Sequence, residues 1–354
     1  MSKLGRYIST IVGGSILLVL FLVLGLDIIA AIIDELGELR EDYTFIQAVY
    51  YVLLTIPGSV NEYVPLAALI GSLAGMGLLA SNSELIVMRA SGLSLVKLAE
   101  YTCRPVLVII VLSMLLGEYI APVTDKWAKT HKDLRMWGSS VSLVSGRTGL
   151  WHREGDTFMH FNVVQPGGVL YGVTIFEFER SKLQRARAAR RATYQNQQWL
   201  LEDVRDTVFG QAEIVTATSK VEYWQNELTP SSLAFLVNEP SELAMQSLLD
   251  YSQYLSAQGL DTGPYQLAFW QKCLQPLAVF SLVLIALSFV FGPLRSATMG
   301  FRVFIGIVVG ITFQFAQNLL GPASLIYGFP PLLAVLLPIA LCALAGVMML
   351  QHAR

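Results

Sequence analysis

Residues 9–33 read STIVGGSILLVLFLVLGLDIIAAII, and Asp27 is the one charged side chain among them. A helix rises about 1.5 Å per residue, so this stretch is about 37 Å long, more than the hydrocarbon core of about 30 Å. No small-residue cleavage site follows a short apolar core, as it would in a removable signal sequence. The sequence therefore predicts a permanent membrane span near the start of the chain.

Five further segments have the same character. Hydrophobic residues make up 54% of the 354 residues and charged residues 14%, against about 25% charged in an ordinary soluble protein. Residues 46–54 are also apolar but stop at Pro57-Gly58, so we expect an interfacial or re-entrant helix there. The six predicted spans are 9–33, 63–81, 101–121, 268–291, 302–320 and 332–350.

The polar stretch between the third and fourth spans shows the period-two alternation of β-strands. Val169, Tyr171, Val173 and Ile175 alternate with Leu170, Gly172, Thr174 and Phe176, and either set could face inward. Further strands are predicted at 157–164, 198–204, 207–209 and 219–224. We expect an α-helical membrane protein with an all-β, jelly-roll-like domain inserted between helices three and four, divided as 1–124, 125–262 and 263–354.

The short loops carry their basic residues on one side. Cytoplasmic loops retain Lys and Arg, whereas long domains cross the membrane regardless of charge. Both termini are therefore predicted to be cytoplasmic and the β domain periplasmic. The basic residues that decide this orientation are Lys3, Arg6, Arg89, Lys97, Arg295, Arg302 and Arg354.

Residues 81–92, between spans two and three, read SNSELIVMRASG. Ser81 and Glu84 have the spacing of a capping box, and Gly92 suits the left-handed position just after a helix end. Leu85 and Met88 would share one face. We expect a short amphipathic helix over 82–92, which is either a lever that moves two spans or a simple turn on the lipid headgroups.

Three features together resemble the LptF/LptG lipopolysaccharide-export permeases: the run 83–92, the turn FGPLR at 291–295 followed by Met299-Gly300, and the order of spans and β domain. The turn is closer to the G branch of that family. The resemblance covers essentially the whole chain. It implies that 82–92 is a coupling helix docked in a groove of a cytoplasmic ATPase, through Ser83, Glu84, Leu85, Met88, Arg89 and Gly92.

The same resemblance implies a set of partners in a bacterial inner membrane. They are an LptF-type permease, a dimeric LptB ATPase, a membrane-anchored LptC-type protein, a periplasmic LptA bridge, and lipopolysaccharide as substrate. The sequence has no G-x-x-x-x-G-K-[ST] loop, so ATP and Mg²⁺ are expected on the ATPase and no cofactor on this chain. A net charge of -2 gives no electrostatic reason to expect nucleic acid.

In that family spans one and five line the substrate cavity and its gates. The candidates carried over are Phe21, Leu24, Asp27 and Ile28 in span one, and Phe313, Gln314 and Gln317 in span five. Lipopolysaccharide phosphates favour basic partners, for which Arg40, Lys132 and Arg135 are candidates. Tyr171, Val173 and Ile175 are candidates for the lipid path in the β domain.

Two other classes of function remain open. A secondary transporter or channel would show broken helices or charges in the middle of the bilayer, whereas Asp27 and Glu118 lie near span ends. A membrane-anchored periplasmic binding or signalling module needs one or two anchors rather than six. No catalytic motif and no paired-cysteine or histidine metal spacing is present in the sequence, so neither enzymatic chemistry nor a metal site is expected.

Overall fold

The computed structural model describes residues 3–39, 43–137, 150–165, 169–179, 182–195, 197–210, 214–226, 228–230, 233, 239–257, 261–292 and 297–352. Within these ranges, six helical segments are long and apolar enough to cross a membrane. A separate sheet lies between the third and the fourth of them in the chain. The predicted class of fold, six spans with an all-β insertion, is confirmed.

The helices are longer than the predicted spans. They are α1 (Lys3–Leu36), α2 (Phe45–Ser81), α3 (Glu84–Ala90), α4 (Leu95–Leu115), α5 (Ala121–Trp137), α6 (Met245–Ala257), α7 (Gly263–Phe291), α8 (Met299–Tyr327) and α9 (Pro331–His352). A π-helical turn, Leu116–Ile120, joins α4 to α5 without a break. Because α4 and α5 form one long rod, α3 and the sheet lie at opposite ends of it; we call these the α3 end and the sheet end.

Residues 46–54 are helical as predicted, but the predicted end of this helix at Pro57-Gly58 is wrong. These residues form the first turns of α2, which continues through Pro57 and Pro65 to Ser81. A proline removes one backbone donor and kinks a helix, but a helix among other helices tolerates it when neighbours satisfy the freed carbonyl. Residues 125–137 are likewise helical, so the predicted domain 125–262 begins with the end of α5 and contains α6 before its boundary.

The helical core forms around α2, where small residues allow close approach. A Cβ built on Gly75 would lie 2.9 Å from the Cα atom of Val12 in α1, and Gly71 meets Ile16 of α1 in the same way. Gly306 and Gly310 of α8 pack against Ile70 and Leu66 of α2. Both small-x-x-x-small pairs therefore place a span directly on α2, as helix packing in membranes favours.

The described strands form one antiparallel sheet. They are β1 (Leu150–Glu154), β2 (Thr157–Gln165), β3 (Val169–Glu179), β4 (Lys182–Gln195), β5 (Gln198–Phe209) and β6 (Ile214–Trp224). Their spatial order is β1-β2-β3-β4-β5-β6. Each strand pairs with its neighbour in sequence, which is the order of a meander, and the crossed order of a jelly roll does not occur among these six strands.

At one position along the sheet, the set of residues that faces inward changes. Gly172 of β3 has φ +60° and Asp203 of β5 has φ +53°, and neither takes part in the strand pairing on either side of it. The buried residues that flank Gly172 are therefore three apart, Leu170 and Val173, instead of two. Both alternations predicted for β3 are partly correct, because the strand changes from one to the other at Gly172.

Candidate functional site

Helix α3 is held against the bundle by one face. Leu85 and Met88 share one face of the helix, as predicted, but that face is buried in the main helical core of this chain, and their predicted contact with an ATPase stays a prediction. The predicted capping box is wrong: the helix begins after Ser83, which has φ +60°, and the Ser81 hydroxyl donates to the carbonyl of Leu78. Gly92 has φ +91°, so its predicted left-handed conformation is confirmed.

The opposite face of α3 is exposed and partly apolar. Ile86 and Val87 are 54% and 67% exposed, and Arg89 is exposed beside them. The Glu84 side chain lies close to the Tyr7 hydroxyl of α1. Adjoining exposed apolar side chains that are rimmed by polar residues can mark a docking surface, and Ile86 and Val87 are candidates for one. Sequence reasoning missed Ile86 and Val87, because it considered the polar residues and the buried stripe of the helix and not its exposed apolar side chains.

Towards the sheet end, the bundle encloses a cavity of about 620 Å³ between α2, α5, α7 and α8. Three predicted residues of span five, Phe313, Gln314 and Gln317, line it. Its lining is mixed: charged and amide side chains line it together with the apolar Leu66, Leu282 and Phe313. Its volume lies in the range of ordinary ligand sites.

A hydrogen-bonded network beside the cavity supports the kink of α2. Pro65 has no N–H to give to the carbonyl of Asn61, four residues earlier. The Gln275 side chain of α7 donates to that carbonyl at 2.7 Å, and Ser113 of α4 donates to the Asn61 side chain, also at 2.7 Å. The kink is therefore fixed by two neighbouring helices. The Asn-x-x-x-Pro spacing was the sequence signal for it.

The turn that leads from the sheet into α6 is fastened at three points. Lys129 of α5 contacts both oxygens of Glu242 at 2.6–2.7 Å. Lys272 of α7 donates to the carbonyl of Leu243 at 2.6 Å, and the Glu118 carboxylate accepts the N–H of Met245 at 2.9 Å. Sequence reasoning missed Lys272, although an ionisable residue inside a predicted span is itself a signal.

The candidates of span one do not line this cavity. Phe21 is 79% exposed on the outside of the bundle, and Leu24 packs against the helical core. Asp27 accepts a hydrogen bond from the Tyr63 hydroxyl at 2.7 Å, which ties α1 to α2, while Ile28 is half-buried. The structure thus separates the span-one candidates from those of span five.

The basic candidates are at the sheet end. Lys132 contacts Glu35 and Glu38 at 2.6 Å each, so two carboxylates already balance its charge. Tyr43 donates to Glu35 at 2.8 Å, and burial together with this bond raises the pKa of Tyr43. Arg135 is exposed, whereas Arg40 lies outside the described residues. A phosphate at Lys132 would have to compete with these two carboxylates for the same charge, and the role of the three residues stays a prediction.

The sheet places two of its three candidates inside. Val173 and Ile175 are 1% exposed and belong to the sheet core. Tyr171 lies on the other face, because its neighbour Leu170 is in that core, and its ring stacks under the Arg191 guanidinium at 5.8 Å. Leu228 and Leu233, from the segment after β6, pack into the same core. The sheet interior is therefore apolar and covered.

Charged residues close one side of the sheet interior. Arg187 is only 8% exposed and pairs with Glu177 and Glu222. Next to it, the Arg185 guanidinium donates hydrogen bonds to both oxygens of the Asp206 carboxylate and holds the pKa of that carboxyl below its usual range. Among the described residues, no three His, Cys, Asp or Glu side chains are grouped closely enough to hold a metal ion.

His152 makes the sheet sensitive to acid. It lies on β1 at 5% exposure, its Nε2 atom has no hydrogen-bond partner, and burial lowers its pKa. Because the folded pKa is below the unfolded value of about 6.5, the stability from neutral His152 should fade as pH drops through 6.5, by at most about 1.4 kcal/mol per pH unit.

His152→Phe should flatten this slope, measured as amide exchange of residues 150–165 between pH 7 and 5. His160→Phe, the control, should keep it; an equal slope in all three proteins would contradict the assignment.

The comparisons with known proteins agree on one family. The family described as "Lipopolysaccharide export system permease LptF/LptG" matches residues 6–352. The protein named "Lipopolysaccharide export system permease protein LptG" of Escherichia coli K12 is 36% identical over 342 residues, which is 95% of this chain and 94% of that protein. The Haemophilus influenzae protein of the same name is 32% identical over 342 residues, or 96% and 95% of the two chains.

Proposed function

This chain belongs to the LptF/LptG family of lipopolysaccharide export system permeases, and on that basis we propose that it extracts lipopolysaccharide from the outer leaflet of a bacterial inner membrane. The lipid then passes through the β domain to a periplasmic bridge. In this orientation the termini and α3 are cytoplasmic and the sheet is periplasmic, in keeping with the basic residues of the short loops.

Extraction needs a continuous apolar path. Each methylene moved into water costs about 0.8 kcal/mol, so one chain of about a dozen carbons costs about 10 kcal/mol. Thermal motion does not supply this free energy for a lipid with several chains. A permease must therefore offer apolar protein surface at each step between the bilayer and the next carrier.

The observation that carries the proposal is a second apolar interior outside the spans. The core of the sheet, with Val173, Ile175 and Trp199 among its fully buried residues, is separate from the helical core. Leu228 and Leu233 fill part of it. We infer that acyl chains enter the core of the sheet when the segment carrying these two leucines is displaced. The chains then replace the contacts of the leucines with the sheet and stay on apolar surface.

In the membrane, α1 and α8 present the surfaces that would meet the substrate and a second permease of the LptF type. Phe21 and Leu26 of α1 are 79% and 70% exposed, and Phe315 and Leu319 of α8 are 71% and 72% exposed. These residues lie on broad apolar faces. The cavity behind α8, lined by Gln314 and Gln317, gives the helix a polar side that suits movement against α7.

The energy comes from another chain in this proposal. A dimeric cytoplasmic ATPase of the LptB type binds ATP and Mg²⁺ and engages α3, whose exposed side carries Ile86, Val87 and Arg89. An LptC-type protein and an LptA-type bridge receive the lipid from the sheet. No nucleic acid takes part.

A pair of neighbouring positions in β3 tests the lipid path. A photoreactive amino acid is placed at Val173 or at Tyr171 in the complete complex, and lipopolysaccharide and ATP are added. Position 173 faces the sheet interior and should give an ATP-dependent lipopolysaccharide adduct, whereas position 171 faces the other side and should give little. Equal labelling at both positions, or active export with no adduct at 173, would refute this path.

A further inference from the structure

Arg302 is a buried charge in the first turn of α8. It is only 2% exposed, and its Nη1 atom donates to the carbonyl oxygen of Gly77 in α2 at 2.6 Å. A buried guanidinium is costly unless it is paired and hydrogen-bonded. Gly77 lies close to the C-terminal end of α2, where the helix dipole adds negative potential and favours a cation. The arginine is therefore bound to the end of α2 that leads into α3.

Gly77 makes room for this contact. A Cβ built at position 77 would lie 2.9 Å from Arg302 Nη1 and 3.2 Å from its Cδ. Farther along α8, Gly306 and Gly310 pack closely on Ile70 and Leu66 of α2, and Arg302 extends this helix contact to the α3 end. The arginine and the glycine thus form a matched pair that fixes where α8 starts along α2.

The contact lies next to the helix that faces the ATPase. After Gly77, α2 runs to Ser81, and two residues later α3 begins at Glu84. The connection transmits displacement because it is short and hydrogen-bonded: the N–H groups of Asn82 and Ser83 donate to the carbonyls of Leu78 and Ala80 at 3.1 Å each. A push on α3 therefore moves the end of α2, and with it whatever Arg302 holds.

We propose that Arg302, through its bond to Gly77, is the positioning residue that makes the α3 end of α8 move together with α3. The inference rests on the proposed function, because α8 matters as the helix that carries the substrate-facing and cavity-lining residues Phe315, Gln314 and Gln317. The proposal also explains why this arginine is buried. The orientation of the chain in the membrane requires a positive charge near the loop, but it does not require that charge to be buried and hydrogen-bonded.

Four variants test the proposal in the complete complex in proteoliposomes, by lipopolysaccharide released per ATP hydrolysed. Arg302→Met removes the bond, Arg302→Lys keeps the charge that sets orientation, and Gly77→Ala keeps the arginine but removes its room. Arg302→Met and Gly77→Ala should each lower the ratio by about tenfold, the size expected for one hydrogen bond to a charged group. Arg104→Met, which loses an exposed pair with Glu100 on α4, should not change it.

The double variant separates coupling from simple damage. If both residues act through one contact, Arg302→Met with Gly77→Ala should be no worse than the poorer single variant, because the contact is lost once. Effects that multiply, an unchanged ratio, or full recovery by Arg302→Lys would overturn the proposal. Independent damage would multiply, and a charge needed only for orientation would be restored by lysine.

A distance measurement tests the same idea without any transport. Spin labels at Ala90 of α3 and Phe304 of α8, both exposed, report the separation of the two helices in the complex. In the native protein the distribution of this distance should stay narrow when ATP binds, and in Arg302→Lys and Gly77→Ala the distribution should broaden. An unchanged distribution in the variants would overturn the link even if the native complex exports lipopolysaccharide. A native complex that exports no lipopolysaccharide, with the expected broadening in the variants, would count against the proposed function alone.

Discussion

Replacing Gly71 with valine should prevent α1 from docking on α2 and should yield little folded protein. A side chain at this position would meet the backbone of Ile16 in α1, which cannot turn away as a flexible side chain can. Overpacking a core costs about 1–3 kcal/mol when neighbours can adjust, and we expect at least about 3 kcal/mol where the neighbour is backbone. The measurements are the yield in detergent and the free energy of unfolding followed by tryptophan fluorescence.

Gly14→Val in α1 is the matched control. The substitution is the same, but outside its own stretch of α1 no atom of the described residues lies within 4 Å of a Cβ built at Gly14. This variant should fold with nearly native stability. Wild-type stability in Gly71→Val, or an equal loss in both variants, would show that the contact between α1 and α2 is not the constraint that Gly71 satisfies.

The spans could be predicted because apolar length alone determines them. Their ends could not, since α2 begins at Phe45 instead of residue 63 and α5 continues to Trp137, and contacts such as that between Lys132 and Glu35 help to stabilise these extensions. Residues 46–54 show the same limit. Pro57 suggested an end, but the helix continues because its neighbours support a kinked backbone.

The sheet shows where local pattern fails. Strand β4, 182–195, is rich in Ala, Arg and Gln, which favour helices, and it was not predicted. It forms because β3 and β5 pair along both of its edges, and such context outweighs propensity. The change of face at Gly172 depends on a backbone conformation that no alternation in the sequence encodes.

Which residues of one helix share a face could be predicted from the sequence, but which residues of different helices meet at the site could not. The spacing of Gln314 and Gln317 correctly places them on one face, and the structure puts that face on the cavity. Asp125 and Lys272 line the same cavity from α5 and α7, more than forty positions away from them along the chain. Their meeting is a property of packing, which a single sequence does not specify.

Val87→Asp should detach the ATPase. Val87 is 67% exposed on the face of α3 that points away from the helical core, so a docked partner would cover it. Burying an unpaired carboxylate there costs several kcal/mol, and about 3 kcal/mol already lowers affinity by about 100-fold. We expect loss of the ATPase on co-purification and loss of export, with the permease itself still folded.

Two controls isolate the role of that face. Val96→Asp introduces the same charge at 65% exposure in the first turn of α4, where an acidic residue suits the helix dipole, and it should keep the ATPase. Val87→Thr keeps the branched shape without a charge and should retain most of the binding. If Val87→Asp bound the ATPase as well as Val96→Asp does, α3 would not be the docking helix. The lever between ATP hydrolysis and lipid release would then have to lie elsewhere in the chain.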